Sequence, residues 1–414
     1  MQTGPTLRQV LALCLAAGFL SACSHPEKAV NKTWDPKAAA IYLDQRETTW
    51  IGWPGAARDH GTFCVSCHTV LPYALARSEL RTALAERGPT ENERKILEDV
   101  TTRVQLWNTT APYYTDEGYG DGKPAQSRGT ESVLNALILA VNDARTGKLS
   151  AITQTAFDNM WALQRIEGEG KGAWPWLQFG MEPWEAKDSR YYGAALAAIG
   201  IGTAPDNYRS SAGIQDKLNL LRDYLNREYP TQSTMNHAVV LWASEKVPGL
   251  LDTERQKAIV RELIEEQRAD GGWELSSLVW PKGGTLHSLI RTFLRSDWSR
   301  QSTESDGYAT GLITVVLQES GVSPQDEHLK RGLAWLAHNQ SSEDGSWPSV
   351  SLSQRRNPSS NAGHFMRDAA TAYAVLALSR NGEMAGRVGE YQPLQTSPQS
   401  PPRLAATRSL VRLQ

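Results

Sequence analysis

Apolar residues follow two patterns that alternate along the chain. In DTERQKAIVRELIEEQ, residues 252–267, they fall on one face and the charges on the other. That is the pattern of a helix lying against a core with its back to water. In SRYYGAALAAIGIG, 189–202, and GYATGLITVVLQES, 307–320, small and apolar residues run nearly all round, which predicts a helix buried on every side. Six helices of the amphipathic kind are predicted at about 36–47, 91–107, 151–165, 213–227, 252–268 and 326–339. Six of the buried kind are predicted at about 63–78, 128–143, 188–200, 234–245, 305–319 and 367–380. The chain therefore reads as all-α, with outer and inner helices in strict alternation.

The junctions between the two kinds repeat as well. Gln267, Gly271, Gly272 and Trp273 form one; Gln340, Asp344, Gly345 and Trp347 a second; Gln164, Gly172, Trp174 and Trp176 a longer third. Glycine after a helix supplies the left-handed cap, and Asp188, Asp306 or Asp368 near the head of the next helix suits its free N–H groups and its dipole.

Gln-x-x-x-Gly-x-Trp followed by an Asp-led apolar helix resembles the repeats of squalene–hopene cyclases, oxidosqualene cyclases and protein prenyltransferase β subunits. The resemblance covers about 36–382 and implies an (α/α)6 toroid, inner and outer helices alternating round a central cavity. An open solenoid of the same units is the competing arrangement. CVSCHTVLPYALAR and EPWEAKDSRYYGAALAAIG are the stretches most similar to the bacterial members of this group that carry Cys-x-x-Cys-His in the first inner helix.

The chemistry of those enzymes is not written here in the usual form. No Asp-Asp dipeptide occurs, so the Asp-x-Asp-Asp acid of the cyclases and the Asp-Asp-x-x-Asp magnesium motif are both missing. A lone acid for such a reaction would have to be Asp188, Asp306 or Asp368, for each of which helix capping is the simpler role. Tyr191, Tyr192, Tyr308 and Tyr373 suit either an apolar polycyclic ligand or ordinary core packing.

The ends of the chain set a compartment. Residues 1–22 read as a signal peptide with Arg8 before the apolar run 10–20, which is too short for a comfortable membrane span. Leu20, Ser21, Ala22 and Cys23 resemble a bacterial lipobox, which implies lipidation of Cys23. Ser24 at the next position implies the periplasmic side of the outer membrane of a Gram-negative cell. Residues 23–35 read as a tether and 383–414 as a disordered tail. A net charge of −2 with interspersed signs gives no reason to expect nucleic acid.

With Cys14 in the signal and Cys23 lipidated, only Cys64 and Cys67 are left. Cys64, Cys67 and His68 form Cys-x-x-Cys-His, the attachment pattern for haem c: two thioethers, with the histidine on iron. A redox thiol pair and a zinc site are the competing readings. The motif falls in a repeat-like layout, Gln45 then Trp50 and Trp53, which places it at the N-terminal mouth of the first inner helix. Candidates for a further iron ligand are His237, Met235 and Met366. The expectation is a lipid-anchored, periplasmic haem c protein with one covalent haem, a periplasmic redox partner and an apolar or isoprenoid ligand. The alternatives are a non-redox isoprenoid cyclase or transferase, and a lipid-binding module with structural haem.

Overall fold

The computed structural model describes residues 33–116, 122–280 and 286–388, with 381–388 as backbone only. The signal peptide, Cys23, most of the tether and the tail therefore lie outside the described residues. Fourteen α-helices follow in order: α1 Pro36–Ile51, α2 Val70–Ala83, α3 Glu91–Gln105, α4 Gly122–Thr146, α5 Ala151–Ala162, α6 Ser189–Thr203 and α7 Gln215–Glu228. The second half holds α8 Thr234–Lys246, α9 Thr253–Glu265, α10 Leu275–Val279, α11 Leu286–Phe293, α12 Gly307–Glu319, α13 Glu327–His338 and α14 Asn361–Val388. Among the described residues the only β contacts are three isolated bridges, and the protein is all-helical.

The six helices that the sequence marks as buried all form: α6, α8 and α12 close to their expected bounds, α2 starting later, and α4 and α14 starting earlier. They touch one another in the order α2, α4, α6, α8, α12, α14, and α14 packs back on α2. Each charged-faced helix lies against this set: α1 on α2 and α14, α3 on α2 and α4, α5 on α4, α7 on α6, α9 on α8, and α13 on α12 and α14.

The repeated glutamine, glycine and tryptophan are one mechanical device. The Gln267 amide donates to Gly271 O at 2.9 Å in its own turn and to His328 O at 2.8 Å at the head of α13. Gln164 does the same with Gly172 O and Lys217 O in α7, and Gln340 with Gly345 O and Asp35 O just ahead of α1. Each glutamine thus ties the end of one outer helix to the start of another, and the third tie joins the last repeat to the first. The tryptophans complete the clamp: the Trp174, Trp273 and Trp347 indoles donate to Met160 O, Leu263 O and Leu336 O in the preceding helices. Each leaves the turn by filling the buried space below it, at 1% exposure or less.

Two of these starts and one junction depart from expectation for visible reasons. The Cys-x-x-Cys-His segment is not helical: α2 starts at Val70, because the Ser66 hydroxyl accepts from Thr69 N and Val70 N and holds a turn. Helix α14 starts at Asn361, where Ser360 caps Gly363 N, so Asp368 sits two turns inside the helix instead of at its head. The helix also runs through Gly382 to Val388. Gln45, finally, is exposed on α1 and takes no part in a clamp.

Tyr192 on α6, Tyr308 on α12 and Tyr373 on α14 fill the space between these helices. The Trp184 indole donates to the Tyr308 hydroxyl at 2.9 Å, and the Tyr308 and Tyr373 rings meet edge to face at 5.6 Å. Tyr191 points elsewhere, donating to Leu225 O at 3.0 Å. All four tyrosines are buried, at 2% exposure or less.

Candidate functional site

Residues 64–69 connect α1 to α2 and are pinned from several sides. The Trp50 indole, on the last turn of α1, donates to Cys64 O at 2.8 Å. Cys64 N donates to Ala56 O, and Phe63 N donates to the Asp99 carboxylate on α3 at 2.6 Å. The result is a buried motif: Cys64, Cys67 and His68 are 5%, 1% and 3% exposed.

The His68 ring stacks on Phe365 of α14, with centroids 3.6 Å apart, and touches Trp50 and Trp184 at its other sides. Burial, and secondarily the positive charges of Arg356 and Arg46, lower its pKa to about 3, so the imidazole is neutral. Its protonation can be assigned from the hydrogen bonds. Nδ1 lies 3.0 Å from the Thr69 hydroxyl, which in turn lies 3.0 Å from Asp368 Oδ2. A threonine hydroxyl has one proton, and the carboxylate takes it. Thr69 therefore accepts from His68, the ring proton sits on Nδ1, and the Nε2 lone pair is left for a ligand.

Asp368 is the hub of this arrangement. Besides Thr69 it receives Arg46 at 2.9 and 3.2 Å and the Tyr42 hydroxyl at 2.9 Å, all from α1. Burial raises its pKa, and the hydrogen bonds and the Arg46 charge oppose that. Glu47, one turn from Trp50, is fully buried with no hydrogen-bond partner on either oxygen, and burial raises it well above the carboxylate range.

A second buried carboxyl, Glu185, acts electrostatically on both thiols. The tight turn before α6 delivers it, with Glu185 N donating to Met181 O and Glu185 O accepting from Phe179 N and Gly180 N. Its Oε2 has no partner, and burial raises its pKa to about 7. Burial likewise pushes Cys64 up to about 12 and Cys67 well above the ordinary thiol range. Both cysteines are free thiols.

Glu185 has a measurable consequence for stability. The native chain holds a proton on it between about pH 4.5 and 7 that the unfolded chain has lost, so this contribution disappears as pH rises through that window. Glu185→Gln is expected to flatten the fall in Tm between pH 5 and 8 and to gain about 2–3 kcal/mol at pH 8. An unchanged pH profile in thermal unfolding would refute the assignment.

The other expected site residues separate. Asp306 is a saturated cap: it accepts from Tyr308 N, Ala309 N, Leu275 N and the Ser349 hydroxyl. Burial raises it to about 6, but with four donors on two oxygens it is a poor proton source. Asp188 stands at the head of α6 without capping it through its side chain. His237 on α8 has both nitrogens engaged, Nδ1 with Glu262 at 2.9 Å and Nε2 with Tyr229 O at 3.1 Å, so neither is open to iron. Met235 is core on the same helix. Met366, beside Phe365 on α14, is the one further candidate in the segment that packs on His68. Among the described residues no three His, Cys, Asp or Glu side chains converge as metal ligands would, which leaves the zinc alternative without a donor set.

The donor chemistry suits a c-type haem: two thiols in the right spacing and a neutral imidazole with Nε2 set free by its neighbour. Room for the ring is not preformed, since Trp50, Trp184 and Phe365 close on the histidine and must part to admit it. Thr69, Glu185 and the hub role of Asp368 escape sequence reasoning. Only Thr69, adjacent to the motif, left a local sign.

No protein-family model matches the chain, and no curated protein matches it. Thirty-three chains of solved structures do. One of them is a glycosidase, 12% identical with a TM-score of 0.45, the alignment covering 84% of this chain and 98% of that one. A likeness of that strength transfers neither fold nor activity.

Proposed function

We propose that this chain is a lipid-anchored, periplasmic haem c protein on an (α/α)6 toroid, with a redox role. The toroid reading is supported by the order of contacts among the six apolar helices, with α14 returning to α2, and by the Gln340 tie to Asp35 across the chain ends. The redox reading is carried by one observation: the His68–Thr69–Asp368 relay that leaves Nε2 as the free nitrogen of a neutral imidazole inside Cys-x-x-Cys-His.

Bound there, an iron porphyrin supplies one-electron chemistry. The chain's own part is to keep a proton on Nδ1 through Thr69, to hold Asp368 charged against Arg46 and Tyr42, and to exclude water with Trp50, Trp184 and Phe365. With haem held by Cys64, Cys67 and His68, the chain would serve a periplasmic redox partner by one-electron exchange, and the fold would offer an apolar or isoprenoid ligand a binding place. Saturation of Asp306 and the pairing of Asp368 with Arg46 weigh against an isoprenoid cyclase using either as its acid.

Production of the full chain with a cytochrome c maturation system tests this. The expected result is a reduced pyridine adduct spectrum of haem c that survives acidic acetone extraction and disappears in Cys64→Ala/Cys67→Ala. A well-folded chain with free thiols and no covalent haem under those conditions overturns the proposal.

A further inference from the structure

Eight large hydrophobic side chains are exposed among the described residues, and four of them fall within residues 286–298. Leu286, Leu289 and Phe293 are spaced at i, i+3 and i+7 along α11, so they form one stripe, 74%, 41% and 58% exposed. Ile290 falls on the same side of the helix, and with Leu294 just beyond it lines an adjoining pocket of about 500 Å³ together with Trp280 and Leu352. The helix therefore has one apolar face, part of it turned to this pocket and part of it exposed.

Trp298, beyond the end of α11, is the fourth exposed side chain of this stretch and lines the same pocket as Ile290 and Leu294. It is 70% exposed and sits in a tight turn with φ +61°, a conformation rare for a bulky residue. Trp298 N donates to Arg295 O and Arg295 N to Ser299 O, so the turn is well bonded. Holding a strained tryptophan in water has no gain for the fold itself.

Cations rim the stripe although the whole chain carries −2. Lys187 and Arg295 line the adjoining pocket, Arg300 pairs with Leu294 through a backbone bridge, and Arg355 bonds through its N to Asp297. His287 and Arg291 lie on α11 itself, and Arg291 pairs with the buried Glu182. The acids near this region include Glu182, Asp188, which acts electrostatically on Glu182, and Asp297. Asp297 is held well down in pKa by Ser299 and Arg355 N–H donors and stays ionised.

An exposed apolar stripe with a Phe and a nearby Trp, edged by arginine and lysine, matches an amphipathic helix lying in the interface of an anionic bilayer, where such faces sink about 5–10 Å. We propose that α11 and Trp298 form a membrane-docking face for an anionic lipid surface. Docking fixes the orientation of the body against the bilayer, which a lipid anchor alone does not. The inference does not depend on haem.

The test uses the full chain in vesicles of phosphatidylethanolamine and phosphatidylglycerol, labelled with an environment-sensitive fluorophore at Leu289→Cys. Ile166→Cys, a more exposed apolar site (68% against 41%) in the turn after α5, is the control. The label at 289 is expected to shift to the blue and to be quenched by spin-labelled lipid, while the label at 166 does neither. Arg300→Gln and Lys187→Gln should each weaken the preference for anionic over zwitterionic vesicles about fivefold. Equal behaviour at 289 and 166 overturns the proposal. A blue shift at 289 that needs no lipid and grows with protein concentration also overturns it, because a second copy then covers the face.

Discussion

Asp368→Ala is expected to lower stability by about 3–5 kcal/mol and to release His68 from its tautomer. The carboxylate is 2% exposed and receives Arg46, Tyr42 and Thr69. Its removal leaves a mostly buried guanidinium without its counter-charge and two hydroxyls without acceptors, which is the expensive way to break an ion pair. Urea unfolding reads the loss. The site-specific part is read by ¹⁵N NMR of the imidazole. In the parent, proton on Nδ1 and lone pair on Nε2 give two well-separated nitrogen shifts.

Asp368→Asn separates the two effects. The amide keeps the volume, yet it no longer fixes the Thr69 hydroxyl as a donor, so Thr69 can donate to Nδ1 and move the ring proton to Nε2. A stable Asn variant with an inverted tautomer, and with haem attachment impaired, is the expected outcome. An Asn variant with the parent tautomer would show that Thr69 does not set the protonation of His68.

Gly345→Ala should be nearly as damaging, by about 3 kcal/mol, for a wholly different reason. Gly345 has φ +77°, and a Cβ there would stand 2.4 Å from Ala38 C and 2.6 Å from Ala38 O on α1. The obstacle is backbone, so neither side can give without opening the contact between the α13 turn and α1. The same turn supplies the carbonyl that Gln340 grips while it holds Asp35 O, so the strain falls on the tie between the last repeat and the first. Gly61→Ala is the control: φ is +71° but nothing lies within 4 Å of the added carbon, and only the conformational cost of about 1 kcal/mol remains. Hydrogen exchange should show α1 opening selectively in Gly345→Ala. A loss no larger than that of Gly61→Ala would mean the close approach to α1 is unimportant.

Local patterns carried most of the architecture. Two kinds of helix are legible because one-sided and all-round apolar spacing are written within each segment, and the glutamine, glycine and tryptophan of each junction stand within about ten residues of one another. The Cys-x-x-Cys-His motif is legible for the same reason. The start of α14 was misplaced because Asp368 looks like a cap, whereas Ser360 supplies the one that forms.

The all-helical alternation, the junction device and the compact donor set at residues 64–68 are thus properties of short stretches of chain. The tertiary structure alone decided what surrounds that set. Asp368 meets Thr69 across 299 residues and Glu185 reaches the thiols from the turn before α6, while His237, a plausible ligand by type, is tied to Glu262 and Tyr229 instead. Burial does the deciding: it sets the charge of each of these groups, and which groups are buried together depends on helix packing that no short stretch of sequence encodes.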